Sequence, residues 1–390
     1  MTVLDQNFLN LNFGFYTYRN KAFISKLDVL DHAVANGDQT PNIGWYFGDH
    51  VFDQYDWTVE PPQSITELYA QRARQLRDTY DYIILLYSGG SDSHEMLHTF
   101  LDNNIPIDEI QSIHPTSIVG NFLEGKNIAP TDSLSILAEH EYRVKPTFKW
   151  LSQAHPKIKL RIVDSGPTIA HSTDSWHADN LNSSWLHTLT PLQFASAVTD
   201  SSNNNQSDKR KTCIIWGNNK PYIQITNDYH LVNGFTDSSR PHSAWIDSSG
   251  FKRNIYFEDF YWSIDAPLIP IKQSHLSLKK LQQDIDNKNV KSVLAIKNDG
   301  TGNFREEWLK GVIYPHWDYG FFQSKKVITY TGYDNQDRNL YPFLPKIKSF
   351  NQEKLRFIKD RYKTIKNIDY AKPNLFFARS KNYKVGKLIF

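Results

Sequence analysis

Asp81-Tyr-Ile-Ile-Leu-Leu-Tyr87 runs directly into Ser88-Gly-Gly-Ser-Asp-Ser93, and the fold is decided at this junction. Ile83 to Leu86 is a continuous apolar run, the pattern of a strand buried on both faces. Gly89 and Gly90 allow backbone conformations closed to other residues, so the chain can turn sharply and approach a ligand closely. Ser91, Asp92 and Ser93 then place hydroxyls and a carboxylate at the start of a helix, where free N–H groups and the dipole favour an anion. Strand, Gly-rich turn and helix N-terminus together make a phosphate cradle.

Outward from the cradle, strand and helix patterns alternate. Ser64 starts a helix with an apolar stripe through Ile65, Leu68, Tyr69 and Leu76, with Ala73 beside it. After the cradle helix, Ile107–His114 predicts a second strand bounded by Pro106 and Pro115. Leu134 to Ala154 reads as a long helix that Pro146 kinks or divides, Ile158–Val163 as a third strand, and Pro191–Val198 as a short helix. The polar stretch Thr199–Lys211 is an exposed loop, Thr212–Trp216 a buried strand, and Gly300-Thr-Gly302 a turn. This alternation predicts an α/β fold: a mainly parallel sheet with helices on both faces. The expected organisation is an N-terminal helical extension (1–80), the cradle domain (81–233) and a C-terminal accessory domain (234–390).

The cradle is not a Walker A loop, since GxxxxGK[ST] is absent and no lysine follows the glycines. SGGSDS resembles the SGGxDS signature of the PP-loop ATP pyrophosphatases, in the adenine-nucleotide α-hydrolase-like (HUP-like) superfamily. The other reading is a serine-rich turn in an unrelated α/β protein. The resemblance rests on the cradle alone and covers well under half of the chain. It implies an enzyme that binds ATP with Mg²⁺, adenylates an acceptor with release of pyrophosphate, and lets an amine or ammonia displace AMP. On matching positions, Ser88, Gly89, Gly90, Ser91 and Ser93 would hold pyrophosphate, and Asp92 would act in catalysis and place Mg²⁺. Leu86 and Tyr87 would offer adenine contacts on the backbone. By position along the sheet edge, His114 falls near adenine or ribose. Gly217 and Lys220, in Trp216-Gly-Asn-Asn-Lys-Pro221, fall near the phosphates, Lys220 as a catalytic cation. Asparagine-forming relatives carry a long N-terminal glutaminase with a cysteine at position 2; position 2 here is Thr2, which argues against an internal ammonia source.

Composition limits the alternatives. Cys213 is the only cysteine, so an intramolecular disulfide, a CxxC redox pair and a four-cysteine metal site are excluded within one chain. Sulfur transfer, which other PP-loop proteins perform, has little to work with, because Cys213 sits in a strand that reads as buried. A nucleotide- or nucleic-acid-binding module without turnover is the remaining alternative. His94-Glu-Met-Leu-His98 fits the HExxH zinc pattern, but its extended form fails, with Leu101 and Asn104 where glycine and the third histidine belong. Met96, Leu97, Phe100 and Leu101 give that helix an apolar stripe. Only Glu124 or Glu139 offers itself as a distant further ligand, so no stoichiometric metal beyond Mg²⁺ is expected.

The formal net charge is +2, yet residues 343–390 hold thirteen Lys and Arg against three Asp and Glu, an excess of ten that leaves the rest of the chain acidic. Aromatics interleave with these charges, a pattern that binds polyanions such as nucleic acid or, equally, a helix near 352–366 with a solvated basic face. The acceptor is accordingly a small molecule or a nucleic acid. Phe257–Asp265 and Lys272-Gln-Ser-His275 read either as a pocket lining or as an aromatic core beside a surface helix. No apolar run approaches bilayer length and the N-terminus lacks a signal-peptide pattern, so a soluble, cytoplasmic protein is expected.

Overall fold

The computed structural model describes residues 14–24, 26–114, 116, 140–164, 210–217, 222–237, 255–290, 307–318, 356–357, 359–368 and 378–390. In chain order the elements are β1 (Phe15–Tyr18), β2 (Lys21–Phe23), α1 (Lys26–Ala35), β3 (Gly44–Tyr46), α2 (Asp49–Phe52), α3 (Ile65–Thr79), β4 (Tyr82–Leu86), α4 (Ser91–Asp102) and β5 (Glu109–His114). A π-helical turn (His140–Val144) leads into α5 (Lys145–Ala154), then β6 (Lys159–Asp164), β7 (Thr212–Trp216), β8 (Tyr222–Ile225) and β9 (His230–Gly234). β10 (Ile255–Asp259), α6 (Leu268–Asp286), α7 (Glu307–Ile313) and β11 (Tyr383–Lys387) complete the set.

The central sheet has five strands in the order β10-β7-β4-β5-β6, and every neighbouring pair runs parallel. The chain is therefore an α/β protein. Ile83, Ile84, Leu85 and Leu86 are all buried, which needs cover on both faces of β4 and explains the unbroken apolar run. From β4 the chain steps outward through β5 to β6, then returns to the other side of β4 as β7. The strand order thus reverses between β4 and β7, and a crevice opens there at the carboxyl edge of the sheet.

Helix α3 begins where expected. Ser64 caps it, accepting from the Glu67 N–H at 3.2 Å while the Glu67 carboxylate accepts from the Ser64 N–H at 2.7 Å. Two turns inside, Arg72 is buried in the apolar stripe. Its guanidinium donates to Glu258 Oε2 at 2.8 Å and to the Asp259 carbonyl at 3.1 Å, and Tyr80 donates to Glu258 Oε1 at 2.5 Å. The helix that leads into the cradle is thereby fastened to β10, at the far side of the crevice.

Three expectations change and a fourth is narrowed. The N-terminal extension is not only helical, because β1, β2 and β3 form an antiparallel sheet in the order β2-β1-β3. Aromatic, β-prone Phe15-Tyr-Thr-Tyr18 meets Lys21 through Arg19 and Asn20, both at positive φ, the geometry of a two-residue hairpin turn. The parallel sheet takes β10 from beyond residue 233, so the expected domain boundary there cuts through one sheet. Of the kink or division expected at Pro146, the structure has the division: Pro146 sits in the first turn of α5, directly after the π-helical turn, where a missing N–H is tolerated. Helix α6 is not a surface helix, since Lys272, Gln273, Ser274 and His275 are buried, with Lys272 donating to Glu60 and to the Pro61 carbonyl. Phe260, Tyr261 and Trp262 beside it form aromatic core rather than a pocket wall.

A third sheet, β11-β9-β8, is antiparallel and brings residues 383–387 back onto 230–234. It joins the N-terminal sheet through Asp237, whose Oδ2 accepts from the Tyr16 hydroxyl at 3.0 Å and pairs with Lys26 at 2.7 Å, all three groups buried. Asp237 Oδ1 accepts from the Ala378 N–H at 3.2 Å, and the Trp45 N–H donates to the Arg379 carbonyl at 3.0 Å. Among the described residues no helix is long and apolar enough to cross a membrane. The helix expected at 191–198, most of the polar loop from 199, and the turn at 300–302 lie outside the described residues.

Candidate functional site

The cradle is built as its sequence demands. Gly89 adopts φ 84°, a left-handed conformation open to glycine, and lets the chain leave β4 and enter α4. Gly90 is the N-cap, and no side chain caps the helix. The positive end of the helix dipole faces the turn. The loop holds itself in shape from beneath. Ser93 Oγ donates to the Gly90 carbonyl at 3.0 Å and accepts from the Ser88 N–H at 3.2 Å, and the Gly90 N–H donates to Ser88 Oγ at 3.2 Å.

This bonding sorts the expected phosphate-binding residues. Ser88 is exposed, Gly90 and Asp92 are half-buried, and Ser91 and Ser93 are buried. The Ser93 hydroxyl acts as a staple of the loop, while Ser91 Oγ donates to Asp92 Oδ1 at 3.3 Å. Leu86 and Tyr87 are buried as well. The Tyr87 N–H already donates to the Gln111 carbonyl at 2.7 Å, so it is not available to a base. The Tyr87 ring turns under the sheet edge, its hydroxyl 3.1 Å from both Thr147 Oγ1 and His94 Nδ1.

Gly217 is brought against the cradle. A Cβ there would lie 3.1 Å from both the Asp92 carbonyl oxygen and Ser93 Cα, so glycine is what allows β7 to end in contact with the first turn of α4. Lys220 lies outside the described residues. His114 stands at the carboxyl end of β5, paired in register with Asp164, but it is buried, with Nε2 3.0 Å from Ser112 Oγ and its ring against His140. Burial, and then His140, push its pKa down to about 3, so it is a neutral imidazole. It can offer a hydrogen bond to a base or ribose but not a charge.

Three supports escaped the sequence reading. The Tyr261 hydroxyl donates to the Asp92 carbonyl at 2.7 Å and so fixes the start of α4. The Tyr69 hydroxyl donates to the Ile313 carbonyl at 2.8 Å and accepts from Gln273 at 2.8 Å. Tyr314 is buried close enough to Asp92 for the carboxylate to push its pKa up, after the larger effect of burial. The only signal in sequence was the density of tyrosine and tryptophan around 257–265.

The two histidines of the HExxH pattern lie together, their ring centroids 4.5 Å apart, but each also has partners of its own. His94 faces Tyr87, and burial followed by His98 pushes its pKa down to about 3. His98 points to the next turn, stacked on Trp150 and on His316 from the segment after α7. Glu95 is buried and receives the His316 backbone N–H at 2.8 Å. His316 is pushed up in pKa, first by its hydrogen bond to Glu95, and its Nε2 lies 2.7 Å from Asp102 Oδ2. Cys213 is wholly buried in the middle of the sheet, and burial raises its thiol pKa well above the ordinary range. No family model matches the chain, and no curated protein or solved structure matches it either.

Proposed function

We propose that the chain binds ATP at the cradle and uses it to adenylate an acceptor, releasing pyrophosphate. The observation that carries this reading is the uncapped start of α4, reached through left-handed Gly89, at the point where the strand order reverses. Backbone N–H groups at a helix N-terminus suit the β- and γ-phosphates. The half-buried Asp92 carboxylate, which accepts from Ser91 Oγ and lies close to Tyr314, is a hard oxygen donor of the kind Mg²⁺ takes, usually with phosphates and water completing the shell. An acceptor oxygen then attacks the α-phosphorus, and the bond to the bridging oxygen breaks with its electron pair leaving on pyrophosphate. An amine or ammonia displaces AMP from the adenylated acceptor. The chain's share in the first step is positioning and charge stabilisation.

Sulfur transfer is not supported, because a thiolate at Cys213 is disfavoured by burial and has no path to the crevice through the strand core. For the acceptor, the basic region leans toward a small molecule. Arg361 is gripped by Asp31 through two hydrogen bonds of 2.8 and 2.6 Å, and Lys381 pairs with Asp53. Tyr362 and Ile365 are buried beneath them, while Lys359, Lys363 and Lys366 face solvent, as on an ordinary amphipathic surface.

The test is product analysis of ATP turnover over a panel of carboxylate, amine and nucleic-acid acceptors. Pyrophosphate and AMP are expected, with the Cys213→Ser protein as active as the parent. ADP and orthophosphate would overturn the mechanism, and tight ATP binding without turnover on any acceptor would favour a nucleotide-binding module.

A further inference from the structure

A second cluster of chemistry-bearing side chains lies on α4, away from the cradle. His98 and Asp102 are one turn apart and so share a side of the helix, and His316 reaches them from the segment after α7. One ligand atom from each of the three lies within 4.8 Å of the others. His316 Nε2 is 2.7 Å from Asp102 Oδ2, and His98 Nδ1 is 3.8 Å from Asp102 Oδ1. Both imidazoles are held flat by stacking, His98 on His316 at 4.8 Å between centroids and on Trp150 at 5.8 Å.

Glu95 supplies the feature that separates this cluster from a chance surface ion pair. Its Oε2 lies 3.1 Å from His316 Nδ1, where it can accept a hydrogen bond from Nδ1–H, while Nε2 points to Asp102 in the cluster. A buried carboxylate behind an imidazole is the outer-sphere partner that orients metal-bound histidine and raises its basicity. The other Glu95 oxygen, Oε1, is buried and has no hydrogen-bond partner among the described residues.

We propose that His98, Asp102 and His316 form a site for a divalent transition metal of the zinc class, with Glu95 as the outer-sphere positioning residue and water in the fourth place. Two imidazole nitrogens and one carboxylate oxygen are a donor set that zinc accepts. Bond lengths of about 2.0–2.1 Å put tetrahedral ligand atoms roughly 3.3 Å apart, so the cluster needs to close by about 1.5 Å at its widest. Half-exposed His98 and His316 and exposed Asp102 have that freedom. The set takes one histidine of the HExxH pattern and replaces the other with His316, and it reverses the expectation that no metal beyond Mg²⁺ is held. Asp92 and His98 are six residues apart, about 9 Å along the helix axis. The ion would accordingly not touch the phosphates; it would clamp residues 314–318 to the helix that carries the cradle. The site does not depend on the nucleotide reading.

The experiment is titration of the chelator-treated full chain with Zn²⁺ by calorimetry and with Co²⁺ by visible absorption. One ion per chain is expected, with the intense d–d bands of low-coordinate Co²⁺. His98→Ala and Asp102→Asn should abolish the bands, and Glu95→Gln should weaken affinity about 10–100-fold. His94→Ala, which removes a ring 4.5 Å from His98 but no proposed ligand, should weaken the readouts at most and leave one ion bound. Asp102 is exposed, so its variant keeps the test meaningful if a histidine variant misfolds, and circular dichroism checks each protein. No saturable binding, binding indifferent to Asp102→Asn and His98→Ala in folded proteins, or loss of the ion in His94→Ala would each overturn the assignment.

Discussion

Replacing Asp92 by Asn is expected to lower pyrophosphate release by about 10²–10³-fold, the range seen when one preorganised charge-stabilising group is removed from an active site. The substitution keeps the size of the side chain, and the backbone it hangs from is anchored independently by the Tyr261 hydroxyl at 2.7 Å from the Asp92 carbonyl. What changes is the charge. An amide is a poor partner for Mg²⁺ and loses the attraction of a carboxylate for the helix N-terminus, an effect of roughly 0.3–1 kcal/mol on stability. The two consequences separate in measurement. Initial rates across a Mg²⁺ series should fall sharply at every concentration, while the thermal transition moves little. A near-parental rate would remove Asp92 from the metal-holding role and leave the cradle as a backbone site only.

The largest loss of stability is expected from Arg72→Ala, about 3–5 kcal/mol, the usual cost of removing one partner from a buried ion pair. Glu258 then keeps only the Tyr80 hydrogen bond at 2.5 Å, and the Asp259 carbonyl loses its donor. Asp259 itself is wholly buried, and burial followed by Glu258 already raises its pKa well above the ordinary carboxylate range, so the site tolerates no further unbalanced negative charge. Urea denaturation of the single variants and of Arg72→Met with Glu258→Gln measures the coupling. The double variant should recover much of the loss, since a neutral pair of similar size removes the stranded charge. Equal destabilisation by Arg72→Ala and by a surface Arg74→Ala would show that the pair contributes nothing.

The cradle was legible because each of its requirements leaves a local mark: a doubly buried strand is apolar without alternation, a left-handed turn asks for glycine, and a helix start collects serine and aspartate. Helix α3 was legible for the same reason, through Ser64 and its stripe. Arg72 had a readable signal that was passed over, since it lies four residues from both Leu68 and Leu76, inside the apolar stripe, where a cation implies a buried partner. His316 had none. Its partners Glu95 and Asp102 are 221 and 214 residues away, and nothing in the segment after α7 announces that it returns to α4. The five-strand sheet shows the same limit: β4 and β5 are neighbours in sequence and were found as such, whereas β10 follows two strands of another sheet and was assigned to a separate domain.

Asp237 gives the molecule an order in time as well as in space. The Tyr16 hydrogen bond and the Lys26 ion pair to Asp237 wait for a carboxylate 221 residues downstream from Tyr16, and the Asp237 carboxylate in turn waits for the Ala378 N–H. At about 5–20 residues per second, the first interval alone is roughly ten to forty seconds of synthesis. Throughout it the aromatic inner face of the N-terminal sheet is without its cover, and closing so long a loop is entropically slow when the partner finally emerges. Residues 14–46, although made early, are thus among the last parts of the fold to be completed.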